Sequence, residues 1–477
     1  MVYIKRHKRD QLVMFPACMD DYVTEDNIVR FIDEYIDSLD LKELEFKRPK
    51  PDNLGAPSYD PADMLKLYIY GYLNNIRSSR TLERETHRNV ELMWLLSGLT
   101  PDFKTIADFR KDNLKAFQNL FNKFLDFCQK TNLLANKFVA IDGSHFKAVN
   151  APDKYYTKNK VEKRLKELEK LTNEYIKELD EIDELENKTT NTPTKEELTR
   201  QLEDLKREEL KLSKIKEDIE LSGKDQLCTT DRDCCVMKKG VGLNVQIAVD
   251  DEHKLIVTYD VTDDPTDYNQ LFNMATKAAE ALNIDENEKL EVVADKGYYN
   301  HAKIKECIDN QIVPYVCEPL KTGGRGNDKN FSKSKFSYDK ENDCYVCPVG
   351  SKLELFEEKK DKRGAKCKSY ICTNPETCPV KGKCTTSKTA RTITRWEHED
   401  LLDDMKEKMR KNKEKVKKRK SIVEHPFGTI KRAMNHGYFL MKGKAKTMAE
   451  FAIISTVYNM KRANNIIGTE KLITAIG

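Results

Sequence analysis

No stretch of this 477-residue sequence approaches the roughly 20 apolar residues that a membrane-spanning helix needs. The opening residues, Met1 to Phe15, include basic side chains but no apolar segment of the secretory kind, so no leader is expected and a cytoplasmic location is. A large net charge is also missing: 84 Lys and Arg against 80 Asp and Glu leave +4. Without an export signal, the 13 cysteines are expected to be reduced rather than paired.

What is present is a strongly charged chain, 34% charged and 39% hydrophobic, long enough for two or three domains and at least one large core. Its charge is unevenly spread. Met405 to Lys420 holds ten Lys or Arg against two Glu, a run able to neutralise phosphates or simply to form a solvated helix face. Six cysteines fall between Cys344 and Cys384, a density that reads better as metal ligation than as a disulfide framework.

Local patterns divide the chain. Residues 1–135 read as helical: Pro61 suits a first helical turn, Leu65, Ile69 and Leu73 recur behind it, Ser78-Ser79 are candidate caps, and a further helix is expected near Thr105. These helices fit a helix-turn-helix-like DNA-binding module or an ordinary bundle. Residues 136–158 contain a buried-strand pattern ending at Asp142. In 159–222, Val161, Leu165, Leu168, Tyr175, Leu179 and Ile182 keep four-three spacing. A polar break at 189–194 follows, and the spacing resumes from Leu198 to Ile219, so an antiparallel helical hairpin is expected. Residues 223–320 show a β-hairpin pattern over 241–262, a helix over 268–283 and a second buried strand ending at Asp295. Residues 321–395 are rich in Lys, Gly and Cys and read as an insertion. Residues 396–477 read as the basic helix near 405–434 and a closing helix from Thr447 to about Ile466.

Two strands ending in acids, with a third acid on a basic helix, are what two-metal phosphoryl transfer on DNA requires: hard oxygen donors for Mg²⁺ or Mn²⁺. Spacing alone does not select Asp142, Asp295 and Glu424 from the 80 acidic residues. An Asp after a strand is usually a turn former, and a Glu beside Lys is usually a surface ion pair.

The selection comes from resemblance. The segments around Asp142 (AIDGSHFKA), Asp295 (VVADKGYYN) and Glu424 (SIVEHPFGTIKR) resemble the catalytic blocks of DDE-type transposases of bacterial insertion sequences. The segments YDPADMLKLYIYGYLNNIRSSRTLERE, TPDFKTIADFR, CTTDRDCCVMKKGVGLNVQIAVD and GYFLMKGKAKTMAEFAIISTVYNMKRANNI resemble further blocks of one branch, in family order. The resemblance implies an α/β fold: an RNase H-like mixed-sheet catalytic core with a helical N-terminal domain, a helical-hairpin insertion and a small Cys-rich, zinc-ribbon-like insertion. It implies a DNA transposase that binds terminal inverted repeats of its element as a homodimer, then cleaves and rejoins double-stranded DNA with two Mg²⁺ or Mn²⁺ ions held by Asp142, Asp295 and Glu424. The rival readings are an inactive, transposase-derived DNA-binding regulator and a host nuclease of similar core.

Relatives carry a Tyr-Arg-Glu-Lys signature about the catalytic Glu. Here its Lys position is Lys431, its Arg position is Lys420 with Arg419 adjacent, and its Tyr position is Lys417. Arg419, Lys420, Lys431, Lys296 and Tyr298 are the expected DNA contacts, and Asn244, Gln246, Lys296 and Tyr298 are expected either to face DNA or to stand behind the residues that do. From cysteine spacing, Cys344, Cys347, Cys378 and Cys384 are expected to hold a structural Zn²⁺, with Cys372 as substitute. His145 and His425 are expected to play structural roles, and Cys234 and Cys235 are expected not to ligate.

Overall fold

The computed structural model describes residues 18–47, 58–134, 137–150, 154–186, 193–237, 240–285, 287–319, 331–361, 364–385 and 387–477. The expectations on residues 1–17 and on the polar break at 189–192 lie outside them. The chain divides into two compact units, Met1–Ala135 with Gly143–Pro265 and Val423–Gly477, and Asn136–Asp142 with Thr266–Ile422.

The first unit opens with α1 (Ile28–Asp37), α2 (Pro61–Leu73), α3 (Ser79–Thr86), α4 (Val90–Leu95), α5 (Phe103–Asp112) and α6 (Leu114–Lys130). Side-chain caps start several of them. Asn27 accepts from the Val29 N–H, Asp60 from Ala62, Asn89 from Glu91, and Asp102 from Lys104 and Thr105, each satisfying a donor that has no partner inside the helix. Ser78 precedes α3 without such a bond. The α2 helix is buried on nearly every side from Met64 to Tyr72, so its apolar pattern marks a central helix rather than one apolar face. Edge-on ring pairs, Tyr35 with Phe124 and Phe46 with Phe117, close the bundle around it.

Strand β1 (Phe138–Lys147) runs through the boundary between the units. In the first unit it is followed by β2 (Tyr155–Thr157), then α7 (Lys158–Glu186) and α8 (Pro193–Ser222), which form the expected helical hairpin. Val161 and Leu168 pack on Leu212, Ile215 and Ile219, with Leu227 at the root. There β2 pairs antiparallel with β3 (Gln226–Cys228). Next come β4 (Cys235–Met237), β5 (Gly240–Asp250) and β6 (Ile256–Thr262), with β5 antiparallel to both neighbours. At Gly242 a Cβ would sit 2.2 Å from the Phe146 carbonyl oxygen, so only glycine lets β5 approach the second half of β1 this closely.

The second unit holds α9 (Leu271–Ala281), β7 (Glu291–Ala294), α10 (His301–Asp309) and β8 (Val313–Val316). The first half of β1 pairs parallel with β7, and β7 with β8. The lysine- and cysteine-rich stretch folds into an antiparallel sheet: β9 (Ser337–Asp339), β10 (Cys344–Val346), β11 (Lys352–Lys360), β12 (Lys366–Cys372) and, after the short α11 (Lys381–Cys384), β13 (Thr392–Trp396). Phe336, Tyr345, Leu353, Tyr370 and Ile393 make its core. Asp343 accepts from Tyr338, Tyr370 and Lys368 at 2.7, 2.5 and 3.0 Å. Those bonds to Tyr370, Tyr338 and Lys368 hold its carboxyl down at about 2. Helices α12 (Glu399–Lys411) and α13 (Lys413–Gly428) follow. Pro426 lies inside α13 and has no N–H to donate, and a π-helical turn, Thr429–Ala433, continues from its end.

Back in the first unit, α14 (Lys444–Ile467) is buried along most of its length and packs on α6, α2 and β6; α15 (Thr469–Thr474) packs on α1. Asn459 fixes α14 to β6: its Oδ1 accepts from the Ile256 N–H at 2.9 Å and its Nδ2 donates to the Ile256 carbonyl at 2.8 Å. Strand pairing is thus antiparallel around β5 and parallel around β7, with helices at the N-terminal end of the chain: a mixed α/β protein. No helix among the described residues is long and apolar enough to cross a membrane.

Candidate active site

The parallel register aligns Ile141 with Ala294. The next residue on each strand is an acid, so Asp142 and Asp295 emerge side by side where the two strands end. Asp295 caps the short 3₁₀ turn Lys296–Tyr298, its Oδ1 accepting from the Gly297 N–H at 2.6 Å. A Cβ on Gly297 would lie 2.8 Å from that oxygen and 3.6 Å from Oδ2 of Asp267. Asp267 therefore belongs to the same acidic locality. Sequence reasoning passed over it, because an Asp in a turn-rich stretch after Pro265 carries no distinguishing signal.

Tyr298 is fully buried. Burial pushes its phenol far up, and the charges of Asp267, Asp142 and Asp295 push it further. The expected DNA contact at Tyr298 is corrected on this point: the ring supports the acids from within and has no surface to offer DNA. Lys296, one residue after Asp295, is exposed.

Arg419 on α13 brings Nη1 to 3.4 Å from Oδ2 of Asp142, with the two side chains 22% and 25% exposed. The next residue, Lys420, is exposed. Glu424 lies one turn further along α13, exposed, and falls in the first unit, whereas Asp142 and Asp295 fall in the second. Among the described residues no three His, Cys, Asp or Glu side chains are gathered as a ready-made metal site.

In the first unit, Lys431 is held on the segment that follows Asp142. Its Nζ donates to Ser144 Oγ and to the His145 carbonyl, both at 2.6 Å, and lies 4.4 Å from the Phe146 ring centroid. Asn244 and Gln246 are buried on β5, and Asn244 donates to the Asp264 carbonyl at 3.3 Å. His425 Nδ1 lies 2.8 Å from the Tyr458 hydroxyl, which itself donates to the Lys254 carbonyl. The Tyr458 proton is thus committed, and Nδ1–H of His425 is the donor, which suits a structural role.

Of the expected zinc ligands, Cys347, Cys378 and Cys384 are found together with Cys372, the expected substitute, and Cys344 is not among them. Cys344 and Tyr345 are neighbours on β10 and so face opposite sides of the sheet; Tyr345 faces the core to which Cys347 and Cys372 belong. Cys347, Cys372, Cys378 and Cys384 do line one cavity, of about 20 Å³, with Phe331 and Phe336 among its walls. They form no metal-holding group, and aromatic packing organises this sheet. Cys234 and Cys235 are buried thiols.

With this geometry in hand, comparison with known proteins gives two family matches. Residues 17–112 match a transposase domain (DUF772). Residues 346–463, which include Arg419, Glu424 and Lys431, match a transposase DDE domain. Among solved structures, a piggyBac transposase synaptic complex with hairpin DNA is similar at 9% identity, covering 96% of this chain and 78% of that one, with a TM-score of 0.30. That score is too low for any argument about this chain. Among curated proteins none matches. The two family matches, one covering the N-terminal helices and the other the helix that carries Glu424, support a DDE-type transposase.

Proposed function

We propose that this chain is the transposase of a bacterial insertion sequence, acting as a homodimer on the terminal inverted repeats of its own element. On this reading the core is RNase H-like. The reaction is hydrolysis of a phosphodiester at the element end, leaving a 3′-OH, followed by attack of that 3′-OH on a phosphodiester of target DNA. The observation that carries the proposal is the parallel register of Ile141 with Ala294, which brings Asp142 and Asp295 to adjacent strand ends, together with Arg419 beside Asp142.

The donor chemistry fits a hard divalent cation: Asp142 and Asp295 offer carboxylate oxygens side by side, and no thiol is near them in the register. Glu424 would complete the set. Two bound Mg²⁺ or Mn²⁺ ions would supply charge stabilisation at the attacking and leaving oxygens. The chain's own residues hold the DNA. Arg419 offers a planar fork for a phosphate, a role that its neighbour Lys420 fills only as a point charge. Lys431, held against Ser144, would stand near the DNA phosphates, and Lys296 is exposed beside Asp295. The α7–α8 hairpin, with Leu210 and Leu221 exposed, is the candidate surface for contact between two copies.

The test is metal-dependent cleavage of element-end DNA by the parent and by Asp142→Asn, Asp295→Asn and Glu424→Gln. Cleavage that persists in all three variants sinks the site. A parent that binds the ends tightly and never cuts with Mg²⁺ or Mn²⁺ is a regulator, and one that cuts without strand joining is a nuclease.

A further inference from the structure

The first unit contains an open groove of about 620 Å³ that the acidic site does not use. It is lined by Lys147, Asn150, Lys154, Thr230 and Tyr438 among others, and none of the described residues that line it is acidic. Lys147 and Lys154 are exposed, and Tyr438 is 40% exposed although aromatic.

Tyr438 is a fixed ring rather than a loose surface side chain. Its backbone bridges to Lys147 at the end of β1, with the Lys147 N–H donating to the Gly437 carbonyl at 3.2 Å and the Phe439 N–H to the Lys147 carbonyl at 2.9 Å. The buried Arg77 lies against the ring, its guanidinium carbon 4.2 Å from the centroid, while Nη1 donates to the Tyr438 carbonyl at 2.9 Å. Arg77 is in turn held by the fully buried Glu450 at 3.4 Å, and Glu450 accepts the N–H groups of Leu440 and Met441. A buried ion pair and a strap of backbone bonds thus position one aromatic ring at the wall of a cationic groove. A ring covered by a cation on one side and open to solvent elsewhere suits a flat, electron-rich partner that itself carries negative charge.

We propose that Tyr438 is a stacking platform for an unpaired nucleobase of the DNA end, with Lys147 and Lys154 taking the flanking phosphates. The proposal rests on the DNA reading above and goes beyond it, because a fully paired duplex has no free base face to give. It assigns Tyr438 a positioning role that needs no contact with the reacting phosphate.

The experiment uses the full chain and two probes: a blunt duplex, and the same duplex with a short single-stranded overhang carrying 2-aminopurine. Tyr438→Leu keeps apolar volume against Arg77 and removes the π face, while Tyr438→Phe keeps both. The expected result is 2-aminopurine quenching with the parent and Tyr438→Phe, lost in Tyr438→Leu. Affinity for the overhang should drop about 5- to 100-fold in Tyr438→Leu, with blunt-duplex affinity unchanged. Equal quenching by Tyr438→Leu, or an equal loss on both probes, overturns the platform and leaves the transposase reading standing. A parent that binds neither probe overturns both.

Discussion

Nη1 of Arg419 lies 3.4 Å from Oδ2 of Asp142, so a cation from the basic helix already occupies one of the two carboxylates that β1 and β7 bring into register. Both side chains are about a quarter exposed, and a pair of that kind contributes at most about 1 kcal/mol to stability. Asp142→Asn and Asp295→Asn are therefore expected to fold with nearly parental melting temperatures while losing on the order of 100-fold or more in metal-dependent cleavage, since even residues one step behind a metal ligand cost 10–100-fold. Arg419→Ala is expected to keep all three acids and to lower the salt slope of DNA binding by about 1. Thermal unfolding, cleavage rates and a salt titration check this; an unaltered cleavage rate in either Asp variant would count against the site.

His436 gives a pH dependence. It is fully buried, and its Nε2–H donates to the Tyr72 carbonyl at 2.9 Å. Burial, with the nearby Arg77 charge, holds its imidazole down at about 4, against an ordinary 6.5. Between those values the folded chain binds fewer protons than the unfolded chain, so stability falls as pH drops from 6.5 towards 4. The shift corresponds to about 3 kcal/mol over the whole window, of which about 2 kcal/mol is lost by pH 5. Denaturant titrations at pH 7 and pH 5 should show that loss, and His436→Gln, which keeps a donor for Tyr72, should abolish most of it. A parental slope in His436→Gln would assign the effect elsewhere.

Glu450→Ala should be among the most destabilising single changes. It strips the buried Arg77 of its carboxylate and leaves the Leu440 and Met441 N–H groups without their acceptor. Breaking one side of a buried pair costs about 3–5 kcal/mol. Chemical denaturation is the measurement, and a loss below about 1 kcal/mol would show that Arg77 finds another partner.

The α7–α8 hairpin should be removable. Thr157 and Gln226 face each other across the β2–β3 pair at its root, so a short glycine-containing turn can join them in place of residues 158–225. The expected product is folded and monodisperse, with Leu227 more exposed and with impaired pairing of DNA ends. Aggregation in size-exclusion chromatography would show instead that the root cluster of Leu227, Val161 and Ile219 is part of the main core.

The sequence by itself determined the elements whose signals are local. Four-three spacing marked both hairpin helices, Asp60-Pro61 and Asp102 marked helix starts, and the apolar runs before Asp142 and Asp295 marked two strands, because each depends only on neighbours in the chain. Only the tertiary structure decided what depends on distant register and on strand faces. It brought Asp142 and Asp295 to adjacent strand ends, added Asp267, tied Lys431 to Ser144, buried Tyr298, and gathered Cys372 rather than Cys344 with Cys347, Cys378 and Cys384. A one-residue change of strand register or phase moves a side chain to the opposite face with no trace in local composition. For that reason the acids were legible one by one, while their adjacency, and the place of Cys372 beside the other cysteines, came only with the fold.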